Sequence, residues 1–253
     1  MIPDAPSDWR ENRLHRKKVF AAAMVSSEMR AAIWQKCKND MIWWLASSCW
    51  IYEPRTKSRM PWIPWDFQIK AMRLIKENLG KKTIWIEKSR DMGATWMVLA
   101  VIQHEWQFGA DSTWMLVSRN EALVDRKGDS DSLFWKLDFL RENQPPFLLP
   151  VGKFDRLELM LRNRRQNVMI NGASTTADVG RGGRRTGIFM DEFGAFGVPE
   201  SNAVLAATAS NTDCQIMCST YKGATGAFYD SGQRSDDDIV DRKSTRLNSS
   251  HRL

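Results

Sequence analysis

One stretch constrains this chain more than any other: Ile84-Trp-Ile-Glu-Lys-Ser-Arg-Asp-Met-Gly-Ala-Thr95. An apolar run enters a charged, glycine-containing bend and leaves it in helix-forming residues, so it reads as strand, tight loop and helix start. A phosphate-binding loop has this form, because the first turn of a helix leaves backbone N–H groups unpaired and aimed at an incoming anion. The common pattern is G-x-x-x-x-G-K-[ST]. Here its second glycine is Gly93 and its hydroxyl residue is Thr95, while Ala94 stands where the lysine usually does and Lys88 replaces the first glycine. A lysine is present, but at the opposite end of the loop. Taken by itself, the stretch is more readily a surface turn with Lys88 and Arg90 solvated.

A second motif changes that balance. Thr186-Gly-Ile-Phe-Met-Asp-Glu-Phe193 is a short apolar strand ending in two adjacent carboxylates. A P-loop ATPase needs one carboxylate at such a strand end to hold Mg²⁺, and another group to orient the attacking water. Asp191 fits the first role and Glu192 the second. Alone, Asp-Glu would be an ordinary polar strand end; the two motifs in this order point to a nucleotide site.

Upstream, Trp9 to Tyr52 contains no Pro or Gly and carries a broken apolar stripe (Leu14, Val19, Ala22, Ala23, Met29, Ile33, Ile42, Leu45), which predicts one long or two shorter helices. All twelve tryptophans fall at or before Trp135. Their expected role is to cement the N-terminal helices to the core, with base stacking the minor alternative. Pro64 to Gly80 begins and ends as helices often do. Near its start, Gln68 is able to donate to and accept from an adenine edge, with Trp65 or Phe67 stacked on the base; a solvated glutamine is the plain alternative.

Beyond the loop, Thr95 to Phe108 reads as a helix closed by Gly109, Thr113 to Ser118 as a strand, and Asp131 to Arg141 as a helix, with another helix starting near Asn120. Leu157, Leu159 and Leu161 alternate, and Val168 to Gly172 answers them across a basic turn (Arg162, Arg164, Arg165), which predicts a β-hairpin. A basic, glycine-rich loop, Gly180 to Arg185, precedes the Asp-Glu strand. A helix around Glu200 to Ala209 and a strand, Gln215 to Thr220, follow. Strands alternating with helices imply a mainly parallel central sheet flanked by helices, with its site at the strand ends.

The 253 residues, 43% apolar and 26% charged, suffice for one sizeable α/β core with a small helical attachment. No apolar run approaches the roughly 18 residues of a membrane span, and Met1-Ile-Pro-Asp-Ala-Pro lacks a signal-peptide pattern, so no membrane is expected among the partners. Cys37, Cys49, Cys214 and Cys218 have no zinc spacing and are expected to be buried thiols. The net charge of +7 favours polyanions, but Asp241 to His251 looks like the in-frame translation of a sequencing adapter; without the last thirteen residues the charge is +4. That tail is set aside from fold reasoning, and the natural frame is expected to continue beyond Val240.

With these pieces in order, the chain resembles the ATPase domain of the large terminase subunit, the DNA-packaging motor of tailed bacteriophages. The likeness covers roughly Trp50 to Asp230. It rests on Trp65-Asp-Phe-Gln68, Ser89-Arg-Asp-Met-Gly-Ala-Thr95, Phe189-Met-Asp-Glu-Phe193 and Cys218-Ser-Thr-Tyr-Lys-Gly-Ala-Thr-Gly-Ala-Phe-Tyr229. Some large terminases carry the P-loop lysine at the start of the loop, and this sequence is similar to that form.

The resemblance implies an α/β P-loop NTPase of the ASCE type: an N-terminal helical segment (1–60), the ATPase domain (61–235) and a linker plus tail (236–253). It implies ATP and Mg²⁺, with Gln68, Phe67 and the loop residues Lys88, Ser89, Arg90, Asp91, Met92, Gly93, Ala94 and Thr95 around the nucleotide. Lys88 would bind the phosphates, and Thr95 and Asp191 the metal. Glu192 would orient water, Arg90 would sense the γ-phosphate, and Arg181 would be a finger supplied to a neighbouring subunit. For Arg181, Arg184 and Arg185, contact with a phosphate backbone or plain solvation weighs equally. Ser219 and Thr220 would couple hydrolysis to movement. The implied partners are double-stranded DNA, a homo-oligomeric ring, a portal protein and a small terminase subunit, in the host cell cytoplasm. Full-length members add an RNase H-like nuclease; Asp236-Asp-Asp238 reads as a solvated linker, so no cutting activity is expected here. The alternatives are a helicase-like DNA-dependent ATPase, which would need a second motor domain, and a catalytically silent nucleotide-binding or assembly module, which Ala94 suggests.

Overall fold

The computed structural model describes residues 2–89, 92–150, 152, 154–175, 183–220 and 228. Three helices open the chain: α1 (Trp9–Val25), α2 (Ser27–Asn39) and α3 (Met41–Ser48). The expected one or two helices are three, and Trp50–Tyr52 is not helical. Side-chain caps divide them, since Asp8, Ser26 and Asp40 each accept backbone N–H bonds at a helix start. Trp-Ile-Tyr then favours the extended chain, and β1 (Trp50–Glu53) pairs antiparallel with β2 (Ser58–Pro61).

Helix α4 (Asp66–Asn78) is followed by Gly80 at φ +69°, a turn that suits a glycine. Strand β3 (Ile84–Glu87) leads through the loop into α5 (Ala94–Phe108), whose last turn is closed by the Gly109 N–H bonding Glu105 O. Twelve of the fifteen α5 residues are buried, so this helix lies inside the molecule. There follow β4 (Ser112–Ser118), α6 (Glu121–Val124), α7 (Leu133–Glu142), β5 (Phe154–Leu157), β6 (Met160–Asn163), β7 (Val168–Ser174), β8 (Gly187–Asp191), α8 (Val198–Ala209) and β9 (Gln215–Ser219).

The main sheet has seven strands in the order β3-β9-β8-β4-β7-β6-β5. The first five are parallel to one another, and β6 and β5 extend the sheet antiparallel. The β6–β7 hairpin pairs Leu161 with Ile170. One detail differs from expectation: Leu157, Leu159 and Leu161 do not share a strand. Leu159 sits in the left-handed region at φ 55°, so the chain reverses there and Leu157 and Leu161 fall in successive strands.

Alternation along the strands splits the core. Ile84, Leu116, Phe189 and Ile216 face one side, in a cluster shared with α1–α5 and α7. Trp85, Met115, Val117, Ile188, Met190 and Met217 face the other, against Phe193, Phe196, Val204 and Phe228. Trp44 joins the N-terminal helices to the core as expected: its Nε1 donates to Gln144 Oε1 at 2.8 Å, and its ring meets His104 and Phe108 edge-on. A polar tie reinforces this. Lys76 of α4 lies 3.0 Å from Glu105 and donates to His104 Nδ1, while His104 Nε2 donates to Cys37 O of α2. The four cysteines are buried free thiols.

Candidate nucleotide site

The strand ends bring the two sequence motifs together. Lys88, immediately after β3, places Nζ 3.2 Å from Thr95 Oγ1 and 3.5 Å from Asp191 Oδ1. Thr95, one residue into α5, donates its hydroxyl to Asp191 at 2.9 Å. Asp191 closes β8, two strands away from β3 with β9 between them. Burial works to lower the Lys88 pKa, but Asp191, Cys218 and Glu192 outweigh it, so the ammonium is held more firmly charged than a free lysine.

The loop backbone explains why Gly93 stands where it does. It caps α5 at φ +72°, and a Cβ there would lie 3.2 Å from Gln68 Nε2. Gln68 is buried; its Oε1 accepts from the Trp65 N–H and its Nε2 donates to Met92 O. It therefore buttresses the loop from the start of α4. Trp65, 60% exposed, stacks obliquely on Phe67 at 5.5 Å. Ala94 is buried at the first position of α5, and Ser89 is exposed. Arg90, Asp91 and Arg181 lie outside the described residues, as do residues 221–227 and 229–253, which include the acidic triplet and the tail.

Glu192 follows Asp191 in the left-handed region at φ 53°. For a non-glycine residue that conformation costs on the order of 1 kcal/mol, and such strain gathers at working sites. Its carboxylate meets Arg119, the residue after β4, at 3.3 Å; both side chains are about half exposed. Ser219 connects the motifs. Its carbonyl accepts from the Lys88 N–H at 2.9 Å, and its hydroxyl accepts from the Gly194 N–H at 3.0 Å and donates to Thr220 O. Gly194 is required by that approach, since a Cβ would sit 2.8 Å from Ser219 Oγ.

Two residues escape motif reading. Arg119 carried a signal, since it directly follows an apolar parallel strand, where ligand-facing residues collect. Lys136 carried none. Buried in α7, its Nζ donates to Asp131 O, burial lowers its pKa, and Asp191 and Lys88 act on it with opposite signs.

The chemistry of the donors suits the group the motif implies. A threonine hydroxyl and a carboxylate side by side are hard oxygen ligands of the kind Mg²⁺ takes, and a lysine beside them matches a polyphosphate. Strand–loop–helix, strand-end carboxylate and the strand inserted between them define a P-loop NTPase fold of the ASCE type.

No protein-family model matches the sequence, and no curated protein matches it. Among solved structures, the HK97 bacteriophage large terminase is similar at a TM-score of 0.59 and 12% identity, over 79% of this chain and 42% of that one. A mutant of the Thermus phage P74-26 large terminase ATPase domain is similar at 16% identity and a TM-score of 0.46, over 66% of this chain and 68% of that one. This chain thus spans under half the length of the HK97 protein. Over that stretch its fold is similar to that of the HK97 large terminase.

Proposed function

We propose that the chain is the ATP-hydrolysing motor domain of a viral DNA-packaging terminase, driving double-stranded DNA into a procapsid. The observation that carries this reading is the meeting of Lys88, Thr95 and Asp191 at the strand ends of a terminase-type sheet. In this reading Lys88 would bind the β- and γ-phosphates, and Thr95 and Asp191 would hold the metal. Mg²⁺, when bound, neutralises charge on the phosphates. Gln68, Phe67, Ser89, Asp91, Met92, Gly93 and Ala94 are assigned to the nucleotide site on the same reading, and Arg90 to sensing the γ-phosphate.

Glu192 holds the attacking water. It first has to leave Arg119, a half-exposed pair worth about 1 kcal/mol or less and so easily released. Arg181 acts on the site of a neighbouring copy in a ring. Ser219 and Thr220 transmit the change, since Ser219 bonds both the lysine end of the loop and the turn after Asp191. The proposal extends to the division into 1–60, 61–235 and 236–253, to portal protein and small terminase subunit as partners, and to the host cytoplasm.

Steady-state ATP hydrolysis with Mg²⁺, measured for the chain and for Glu192→Gln, tests the reading. Low turnover that the substitution removes supports it. Equal turnover in the two proteins would refute it.

A further inference from the structure

Three loops meet at the end of the sheet opposite the nucleotide loop: residues 80–83 before β3, 183–186 before β8 and 211–214 before β9. Their contacts are specific. The Arg185 N–H donates to Asn211 O at 2.7 Å, Thr212 Oγ1 donates to Thr186 O at 3.4 Å, and the Cβ position of Gly80 lies 3.5 Å from Thr186 Cγ2. Beside them is an open cavity of about 670 Å³ lined by Lys81, Lys82, Thr83, Ala209, Thr212, Asp213 and Gln215.

The charge at this end is one-sided. Lys81, Lys82, Arg184 and Arg185 outnumber Asp213 and Asp111 there, and among the described residues none of the four cations has a carboxylate within ion-pair distance. Lys81 has a structural task, donating to Glu77 O at the last turn of α4. The other three have no such bond among the described residues. Arg185 is half-buried, and burial alone lowers its pKa, with no counter-charge to offset it. A partly desolvated guanidinium without an anion is costly, and an incoming phosphate removes that cost. Thr83 lines the same cavity, while the Thr212 hydroxyl and the Gln215 amide there are already bonded, to Thr186 O and to Leu205 O and Thr208 Oγ1.

We propose that this end of the sheet is a second anion site, which holds the phosphodiester backbone of duplex DNA through Lys82, Arg184 and Arg185. Cations spread over separate loops suit successive phosphates of a strand better than one small anion. The inference rests on the packaging reading above for the identity of the polyanion. Strand β3 separates Thr83 at this end from Lys88 by about 16 Å, so DNA bound here leaves the nucleotide cleft open.

The test is fluorescence anisotropy of a labelled duplex oligonucleotide with the full chain, across a salt series, for the parent, K82Q/R184Q and K82Q/R184Q/R185Q. Each lost phosphate contact lowers the slope of log affinity against log salt by about 0.9. The expected loss is about 2 for the double variant and nearer 3 for the triple, with binding of a fluorescent ATP analogue unchanged. The double variant alters only exposed side chains, which guards against a folding artefact. An unchanged slope, or a parent that binds no duplex at low salt, overturns the site. Lys88→Ala separates the two readings: it should weaken analogue binding and leave the DNA slope intact.

Discussion

Thr95 and Asp191, 96 positions apart in the chain, share a hydrogen bond of 2.9 Å, and the Lys88 ammonium is within 3.5 Å of the same carboxylate. Each residue belongs to a different element, so the cleft exists only when β3, α5 and β8 are all in register. Lys88→Ala removes the cation and is expected to weaken a fluorescent ATP analogue at least tenfold. Ala94→Lys, which restores the commoner pattern, is expected not to rescue it, because Ala94 is 3% exposed and a long side chain there must displace its neighbours.

Glu192→Gln is expected to reduce turnover by about 100-fold or more, as loss of a water-orienting group does, while analogue affinity stays within about twofold. Arg119→Ala should change turnover and leave the melting temperature nearly unmoved, because a half-exposed ion pair contributes about 1 kcal/mol or less. Paired kinetic and thermal measurements on the two variants check both statements.

Gly194→Ala places a methyl 2.8 Å from Ser219 Oγ and 3.2 Å from Thr220 O. One side has to move, so a loss of about 1–3 kcal/mol is expected in chemical denaturation, together with reduced turnover. Ser219→Ala, which removes the clashing oxygen and its volume, should relieve part of that loss in the double variant.

Burial pushes the Glu105 carboxyl up, but His104 and the Lys76 ammonium more than offset it and hold it at about 2, against 4.5 unperturbed. A depressed carboxylate pKa stabilises the fold above pH 4.5, and that contribution disappears as pH falls from 4.5 towards 2. Unfolding followed across this window should show a decline of a few kcal/mol that Glu105→Gln largely removes.

Lys136→Met keeps the volume of a buried chain and deletes a cation that Asp191 and Lys88 both sense. Analogue affinity is expected to fall severalfold with little loss of stability, as read by titration and thermal melting.

Much of the candidate site's placement is legible in the sequence because its residues sit where regular elements end. Lys88 follows an apolar strand, Asp191 closes one, and Thr95 opens a helix, so each could be located before any contact was known. Arg119 follows the same rule without belonging to a named motif. Lys136 and the buttress role of Gln68 depend on how helices pack, which no local pattern states. The helical segment divides into three because Ser26 and Asp40 interrupt it without Pro or Gly, and their side-chain caps, which start the next helices, show only against the turn that follows. Leu159 was misplaced because a left-handed leucine is rare enough that alternation outweighs it.

Strand β9 lies between β3 and β8, and its last residue is tied to both: to the Lys88 backbone on one side and to the turn after Asp191 on the other. A pull on the chain beyond Ser219 therefore reaches both walls of the cleft simultaneously. Conversely, widening the gap between those walls strains the root of whatever follows that strand. On the motor reading proposed above, β9 would work as a yoke, so that opening the cleft and displacing the downstream chain would be one mechanical event.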